Sequence, residues 1–309
     1  MAMRVREWAG LALLCTIWGS TWAAIRLLVG DVPPLRAAAV RFAIAGIVAL
    51  LWMLLRRKRM PRGTEWVHVL VLSGGLIAIP FGIIFWAEQT VASGTTALIY
   101  ATVPIFTAFL TPALTRGDGV QAVPGRAMQA MIVGLGGIAL LLQDAIHVSW
   151  RQMAGMVALL VAVALTAAST IYAKGTLAAK GSELHITMSS AWQFLFAAVW
   201  LGGLSLLLER GEPAHWSGEA IAAELFLSIL GSVVSFTLYF WLLQRWEPYR
   251  LGVTQLLLPV VAVAEGALLL RERLQWQMVV AMVIILGSVA FVIKARVQDE
   301  ELVRMRVQE

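Results

Sequence analysis

Two ionisable side chains interrupt otherwise apolar stretches of the 309-residue chain: Arg41 in the run Leu35–Leu55 and Glu265 in the run Leu251–Leu270. A charge at bilayer depth costs about 2.5–3.5 kcal/mol on insertion scales, so it marks a functional position with a partner by default. Arg41 follows Pro34 by seven residues and Glu265 precedes Arg271 by six, which at 1.5 Å per residue puts each about 10 Å below a boundary. Such a pair could hold the two charged ends of a zwitterionic solute. Glu265, among Val263, Ala264, Ala267 and Leu268, could equally take up a proton as coupling ion. Against these stand simpler readings: Arg41 extending its stem outward to the interface, and Glu265 pairing with Arg271 or Arg273.

Aromatic and hydroxyl side chains supply further candidates. Trp18 and Trp22 fall on one helical face and bracket Thr21; Tyr100, Tyr172 and Tyr239 each carry a polar tip that needs a partner when buried. With Trp86, Ser20, Ser169, Thr170, Gln244 and Gln255 they could line a cavity for a flat or amphipathic solute; packing between helices or against lipid is the alternative for each. Trp8, Trp66, Trp150, Trp216, Trp246 and Trp276 lie at predicted helix ends, as in an interfacial belt. Pro80, Pro104, Pro112 and Pro259 each remove a backbone donor inside an apolar run. Pro104 and Pro259 are expected to act as hinges, while Gly134, Gly136, Gly137 and Gly287 are expected to allow close helix packing.

The elements that hold these residues must be membrane helices. Hydrophobic residues make up 60% of the chain and charged residues 14%, with a mean hydropathy of +0.81, whereas soluble domains average about 45–50% and about 25%. Ten runs are long or apolar enough to cross a bilayer: Trp8–Val29, Leu35–Leu55, Trp66–Ala87, Thr90–Thr115, Ala127–Gln143, Gln152–Ala173, Leu184–Leu208, Glu224–Gln244, Leu251–Leu270 and Leu274–Ile293. Thr90–Thr115 is long and contains Pro104 and Pro112, so it should bend. The composition excludes a soluble enzyme, a disulfide scaffold (Cys15 is the one cysteine) and a disordered chain. The four scattered histidines offer no helical pairing for a metal, and no cofactor or nucleic-acid motif is present.

Net charge is +6, and its placement orients the helices. With a cytoplasmic N-terminus, 17 Lys and Arg fall in cytoplasmic segments and six on the opposite side, Arg41 being within a helix. Both termini are expected in the cytoplasm of a bacterial inner (plasma) membrane protein.

An internal repeat divides the chain. Phe85, Trp86, Gln89 and Pro104 recur at an offset of 155 as Phe240, Trp241, Gln244 and Pro259, and Ser20-Thr21 recurs at 149 as Ser169-Thr170. Residues 1–148 and 149–296 thus form two five-helix repeats, with a polar tail over 297–309. An odd number of helices in each half inverts the second, an arrangement common in secondary transporters, whose sites lie between the halves. The expected fold is all-α and integral to the membrane, two inverted five-helix repeats around a central cavity.

Ile17-Trp18-Gly19-Ser20-Thr21-Trp22, Arg41-Phe42, Ser93-Gly94-Thr95-Thr96-Ala97-Leu98 before Pro104, and Pro259 before Arg271-Glu272-Arg273-Leu274 together resemble EamA-type members of the drug/metabolite transporter superfamily. The resemblance spans about residues 8–294. Arg116-Gly117-Asp118 departs from it, standing where the family often has an acidic residue. It implies export or exchange of small metabolites, often amino acids, by a monomer or weak homodimer. A nucleotide-sugar or quaternary-ammonium transporter is the alternative within transport. A lipid-modifying enzyme is the alternative outside it, although no Ser–His pair or acidic-histidine cluster is present to serve as a catalytic group.

Overall fold

A computed structural model describes residues 2–114, 149–176, 185–243 and 276–288, with individual positions of 129–140, 254–268 and 290–294. The described residues are helical and contain no strand. They form α1 (Ala2–Asp31), α2 (Pro34–Leu55), α3 (Glu65–Leu72), α4 (Ile79–Ala87), α5 (Ser93–Tyr100), α6 (Val103–Leu114), α7 (Trp150–Thr176), α8 (Ile186–Leu208), α9 (Gly218–Leu225) and α10 (Ser235–Leu243). A shorter apolar helix, α11, spans Trp276–Ser288.

Among the described residues, seven stretches are long and apolar enough to cross a membrane: Val5–Asp31, Pro34–Leu55, Glu65–Ala87, Ser93–Thr111, Trp150–Ala173, Ile186–Leu208 and Gly218–Tyr239. Their outward faces carry Leu13, Ile47, Leu51, Val157, Val199 and Leu206, each at least half exposed and free to meet lipid. The run Thr90–Thr115 is broken near Pro104, while Pro112 lies within a continuous helix. α5 ends at Tyr100, and α6 restarts at Val103 with Pro104 in its first turn, where a missing N–H leaves no bond unmade.

Two spans contain wide helical turns. Between α3 and α4, Ser73–Ala78 is π-helical and leads directly to Pro80, whose ring cannot continue the ordinary ladder. Between α9 and α10, Phe226–Val234 is π-helical with no proline. Here Ser232 and Ser235 hydroxyls donate to the carbonyls five residues back, Leu227 at 3.0 Å and Leu230 at 2.7 Å.

α2 and α8 make the most extensive helix pair. Phe42 stacks on Phe194 with centroids 5.6 Å apart and 20° between planes; Phe81 meets Phe42 edge-on, and Phe236 meets Phe194 edge-on. This row of rings joins α4, α2, α8 and α10 through the centre. At Gly46 a Cβ would lie 2.7 Å from Leu195 Cγ, so the bare backbone permits the close crossing of α2 over α8. Gly134 and Gly137 likewise pack tightly, against Ile105 and Ile285, whereas Gly136 and Gly287 face open space and do not serve the close packing expected of them.

Candidate functional site

The first helix brings the hydroxyls and rings singled out above against the later spans. At Gly19 a Cβ would approach Val261 to 2.5 Å, so only glycine lets α1 lie directly on the segment containing Glu265. One residue on, Ser20 Oγ donates to Glu265 Oε1 at 2.7 Å and also lies 2.8 Å from the Thr16 carbonyl. Glu265 is half-buried. Trp18 packs on Phe236 and Tyr239 at centroid distances of 5.8 and 5.4 Å, and Trp22, on the same side of α1, packs on Tyr100 at 5.4 Å. Thr21 is buried, its hydroxyl turned back to the Trp18 carbonyl at 2.6 Å.

Arg41 is 1% exposed, which overturns the outward-reaching alternative. Its Nε donates to Ser232 Oγ at 3.1 Å and its Nη2 to the Gly231 carbonyl at 3.4 Å, both in the second π-helical turn. The guanidinium carbon sits 5.2, 4.9 and 5.8 Å from the ring centres of Phe42, Phe81 and Phe85, a cage that favours a desolvated cation. Arg41 and Glu265 thus engage different partners.

The acidic group whose charge acts on Arg41 is Glu224, which the sequence reading placed at a helix end and so counted among the uncharged spans. That reading is corrected: the span begins at Gly218, six residues earlier, and Glu224 is 3% exposed within it. The cap at Ser217, whose hydroxyl accepts from the Ala220 N–H at 3.1 Å, is the signal that would have extended the helix.

The remaining candidates divide. Ser169 is buried against Gly75, where a Cβ would lie 2.5 Å from its hydroxyl. Thr170 bonds back to Thr166, Tyr100 reaches the Thr166 hydroxyl at 3.4 Å, and Tyr172 pairs with His68 at 2.6 Å. Ser169, Thr170 and Tyr172 thus have their partners on α7 itself and on the α3–α4 span, while Tyr100 links α7 to Trp22 of α1. Trp86 is 42% exposed and joins neither group. Trp66, expected in the belt, instead packs on Trp192 at 5.0 Å, while Trp8, Trp150 and Trp276 are exposed at helix starts. Gln244, Gln255, Pro259 and Trp246 lie outside the described residues. Among the described residues no three His, Cys, Asp or Glu side chains converge on a metal position.

A third polar cluster closes one end of the bundle. The Glu209 carboxylate accepts from the Leu35 and Arg36 N–H groups at 2.7 and 3.0 Å, capping α2, and from Ser205 at 2.7 Å. Nearby, Ser217 donates to Asp31 at 2.5 Å and the His215 N–H to the Asp31 carbonyl at 2.9 Å.

Long apolar helices wrapped around buried hydroxyls, rings and charges define a multi-pass membrane protein with a polar interior, the construction of a transporter. The sequence pattern of the EamA-like transporter family matches residues 7–143 and again 153–294, and the chain belongs to that family. It is 30% identical over 282 residues to the uncharacterized inner membrane transporter YedA of Escherichia coli K12, covering 88% of this chain and 87% of that one. It is 24% identical over 273 residues to the uncharacterized transporter YoaV of Bacillus subtilis, covering 87% and 90%. It is also 24% identical over 267 residues to a probable amino-acid metabolite efflux pump of E. coli K12, covering 85% and 86%. A known crystal structure shares the fold, with a TM-score of 0.66 at 20% identity over 94% of this chain and 98% of the other.

Proposed function

We propose that the chain is a secondary transporter of the bacterial inner membrane that exports small organic metabolites, amino acids foremost, by alternating access. The observation that carries this reading is the half-buried polar seam of Ser20 and Glu265, bonded at 2.7 Å across 245 residues of sequence beside the Trp18 ring. An ionisable side chain at membrane depth is costly and by default marks a functional position. Trp18, Ser20, Thr21, Trp22, Arg41, Tyr239 and Glu265 are the residues assigned to the solute path, with Glu265 taking the coupling proton. The amino-acid preference draws on the name of the E. coli efflux relative.

The two halves work as inverted repeats of five helices, with both termini cytoplasmic. In support, Phe42 and Phe194 stack face to face and sit 152 residues apart. The residue before each contacts the π-helical turn of the opposite half: Arg41 bonds Ser232, and the Gln193 carbonyl accepts from Ser73 at 2.8 Å. A pseudo-two-fold axis through the stacked rings would exchange these contacts. The family pattern's double match, 7–143 and 153–294, runs the same way.

The test is counterflow by purified protein in liposomes against a panel of amino acids, with and without a pH gradient. Saturable exchange of at least one amino acid is expected. A flat response to every solute in the panel removes the reading.

A further inference from the structure

We infer that Arg41 and Glu224 form the recognition site for the head group of a neutral α-amino acid, its carboxylate on Arg41 and its ammonium on Glu224. The inference rests on the transport reading above and adds to it the acidic partner and the charge class of the solute. The two residues come from α2 and α9 and lie at matching depth, seven residues after Pro34 and six after Gly218, about 10 and 9 Å along their helices. Both are buried and each acts on the other's charge, yet they form no ion pair within 4 Å.

Each group keeps one face unused. Arg41 commits Nε to Ser232 and Nη2, at a long 3.4 Å, to the Gly231 carbonyl, while Nη1 has no hydrogen-bond partner among the described residues. Glu224 accepts from Ser228 at 3.2 Å through Oε1, while Oε2 has no partner. A buried charge with an unfilled bonding position is strongly disfavoured. Direct collapse of the pair would cure both, and the π-helical turn opposes it by holding the guanidinium through Ser232 and Gly231. Gly231 lets Thr21 and the guanidinium approach the turn closely: a Cβ there would lie 3.0 Å from Thr21 Cγ2 and 3.5 Å from Nη2.

Charge balance selects the solute. A lone anion on Arg41 would leave Glu224 uncompensated, and a lone cation on Glu224 would leave Arg41 so. A zwitterion pairs both charges and adds no net charge to the interior.

The test is isothermal titration of the purified protein in lipid nanodiscs, with liposome counterflow in parallel. The probes are phenylalanine, leucine and threonine, their cationic methyl esters and their anionic N-acetyl derivatives. Wild type should favour at least one free amino acid over both derivatives by about tenfold or more. Glu224→Gln should weaken the free amino acid by about 10- to 100-fold, the value of one charge-assisted bond, and leave the N-acetyl form unchanged or tighter. Arg41→Gln should do the reverse with the ester. Folding is checked by gel filtration and unfolding temperature; should Arg41→Gln not fold, Glu224→Gln and the wild-type probe series decide alone. Equal affinity of wild type for all three forms, or equal proportional losses in a folded variant, overturns the site. Counterflow of some other metabolite without any amino acid overturns the site and leaves transport standing. Binding of the zwitterion with no counterflow of any solute overturns the transport reading and leaves the site.

Discussion

Ser20 Oγ lies 2.7 Å from Glu265 Oε1 and 2.8 Å from the Thr16 carbonyl, so one hydroxyl proton has two acceptors. When Glu265 is ionised, Ser20 donates to it. When Glu265 carries a proton, its own O–H can donate to Ser20, and the serine proton turns to Thr16. Both protonation states are therefore satisfied, and a proton can load and leave without stranding a buried polar group. Glu265→Gln, whose amide can donate to Ser20, is expected to fold normally and to transport at a rate that no longer varies with pH. Ser20→Ala is expected to slow transport roughly tenfold, as the loss of one charge-assisted bond would. Rate against pH in liposomes checks both; an unchanged rate and profile for Glu265→Gln removes the proton role.

The contact exists because α1 approaches so closely at Gly19. A Cβ there would sit 2.5 Å from both Cβ and Cγ1 of Val261, atoms close to the backbone that cannot swing aside. Gly19→Ala is therefore expected to destabilise the protein by about 1–3 kcal/mol and to weaken transport by spreading Ser20 from Glu265. Gly30, with nothing within 4 Å of an added Cβ, is the control: Gly30→Ala should leave the unfolding temperature in detergent unchanged or raised.

Glu209 ties the end of α8 to the start of α2 by accepting two backbone N–H bonds and the Ser205 hydroxyl. α2 begins at Pro34 with no capping side chain of its own, so this borrowed carboxylate does the work of an N-cap and meets the positive helix end. Glu209→Ala should cost about 1–2 kcal/mol, and Glu209→Gln less. Chemical unfolding in mild detergent would measure it, and equal stability of wild type and Glu209→Ala would discard the cap.

His185 caps α8 through its ring, Nδ1 accepting the Thr187 N–H at 3.3 Å. Partial burial, reinforced by the Lys58 charge, holds its pKa below the usual imidazole value of 6.5. The unfolded chain thus binds the proton more readily than the folded one, so stability rises with pH across that window. It should be full above about pH 6.5 and decline as pH falls through the lower folded value, where the ring also loses its acceptor. His185→Asn keeps a capping oxygen without the titration and should flatten the unfolding temperature between about pH 5 and 7. Parallel slopes for the two proteins would exclude His185 as the cause.

Seven of the spans are legible because hydropathy is a one-dimensional property, and Arg41 stands out because a lone arginine breaks it. The bend near Pro104 was legible for the same reason: proline's missing N–H acts locally. Glu224 was hidden because Glu219 and Glu224 together look like an interfacial helix start, and a hydropathy run begins after them. Only the Ser217 cap shows that the helix has already begun. The second π-helical turn had no proline to announce it, resting instead on serine hydroxyls whose acceptors lie five residues back. That Ser20 meets Glu265 while Ser169 meets Gly75 depends on which faces pack, which spacing along the chain does not encode.

Orientation rests on charge and can be tested without knowing the solute. The segment between α2 and α3 contains Arg56, Arg57, Lys58, Arg59 and Arg62, while Arg210 is the only Lys or Arg between α8 and α9. Positive residues are retained on the cytoplasmic side, so Arg57 is expected inside and the turn at Gly211 outside. Cys15 is buried in α1, and Cys15→Ala gives a background in which a single reporter thiol is clean. In that background Arg57→Cys should react with a membrane-impermeant maleimide only after cells are opened, and Glu212→Cys should react on intact cells. An inverted pattern would reverse the assignment, and labelling of both from one side would contradict the odd number of crossings that the two-repeat arrangement puts between the two positions.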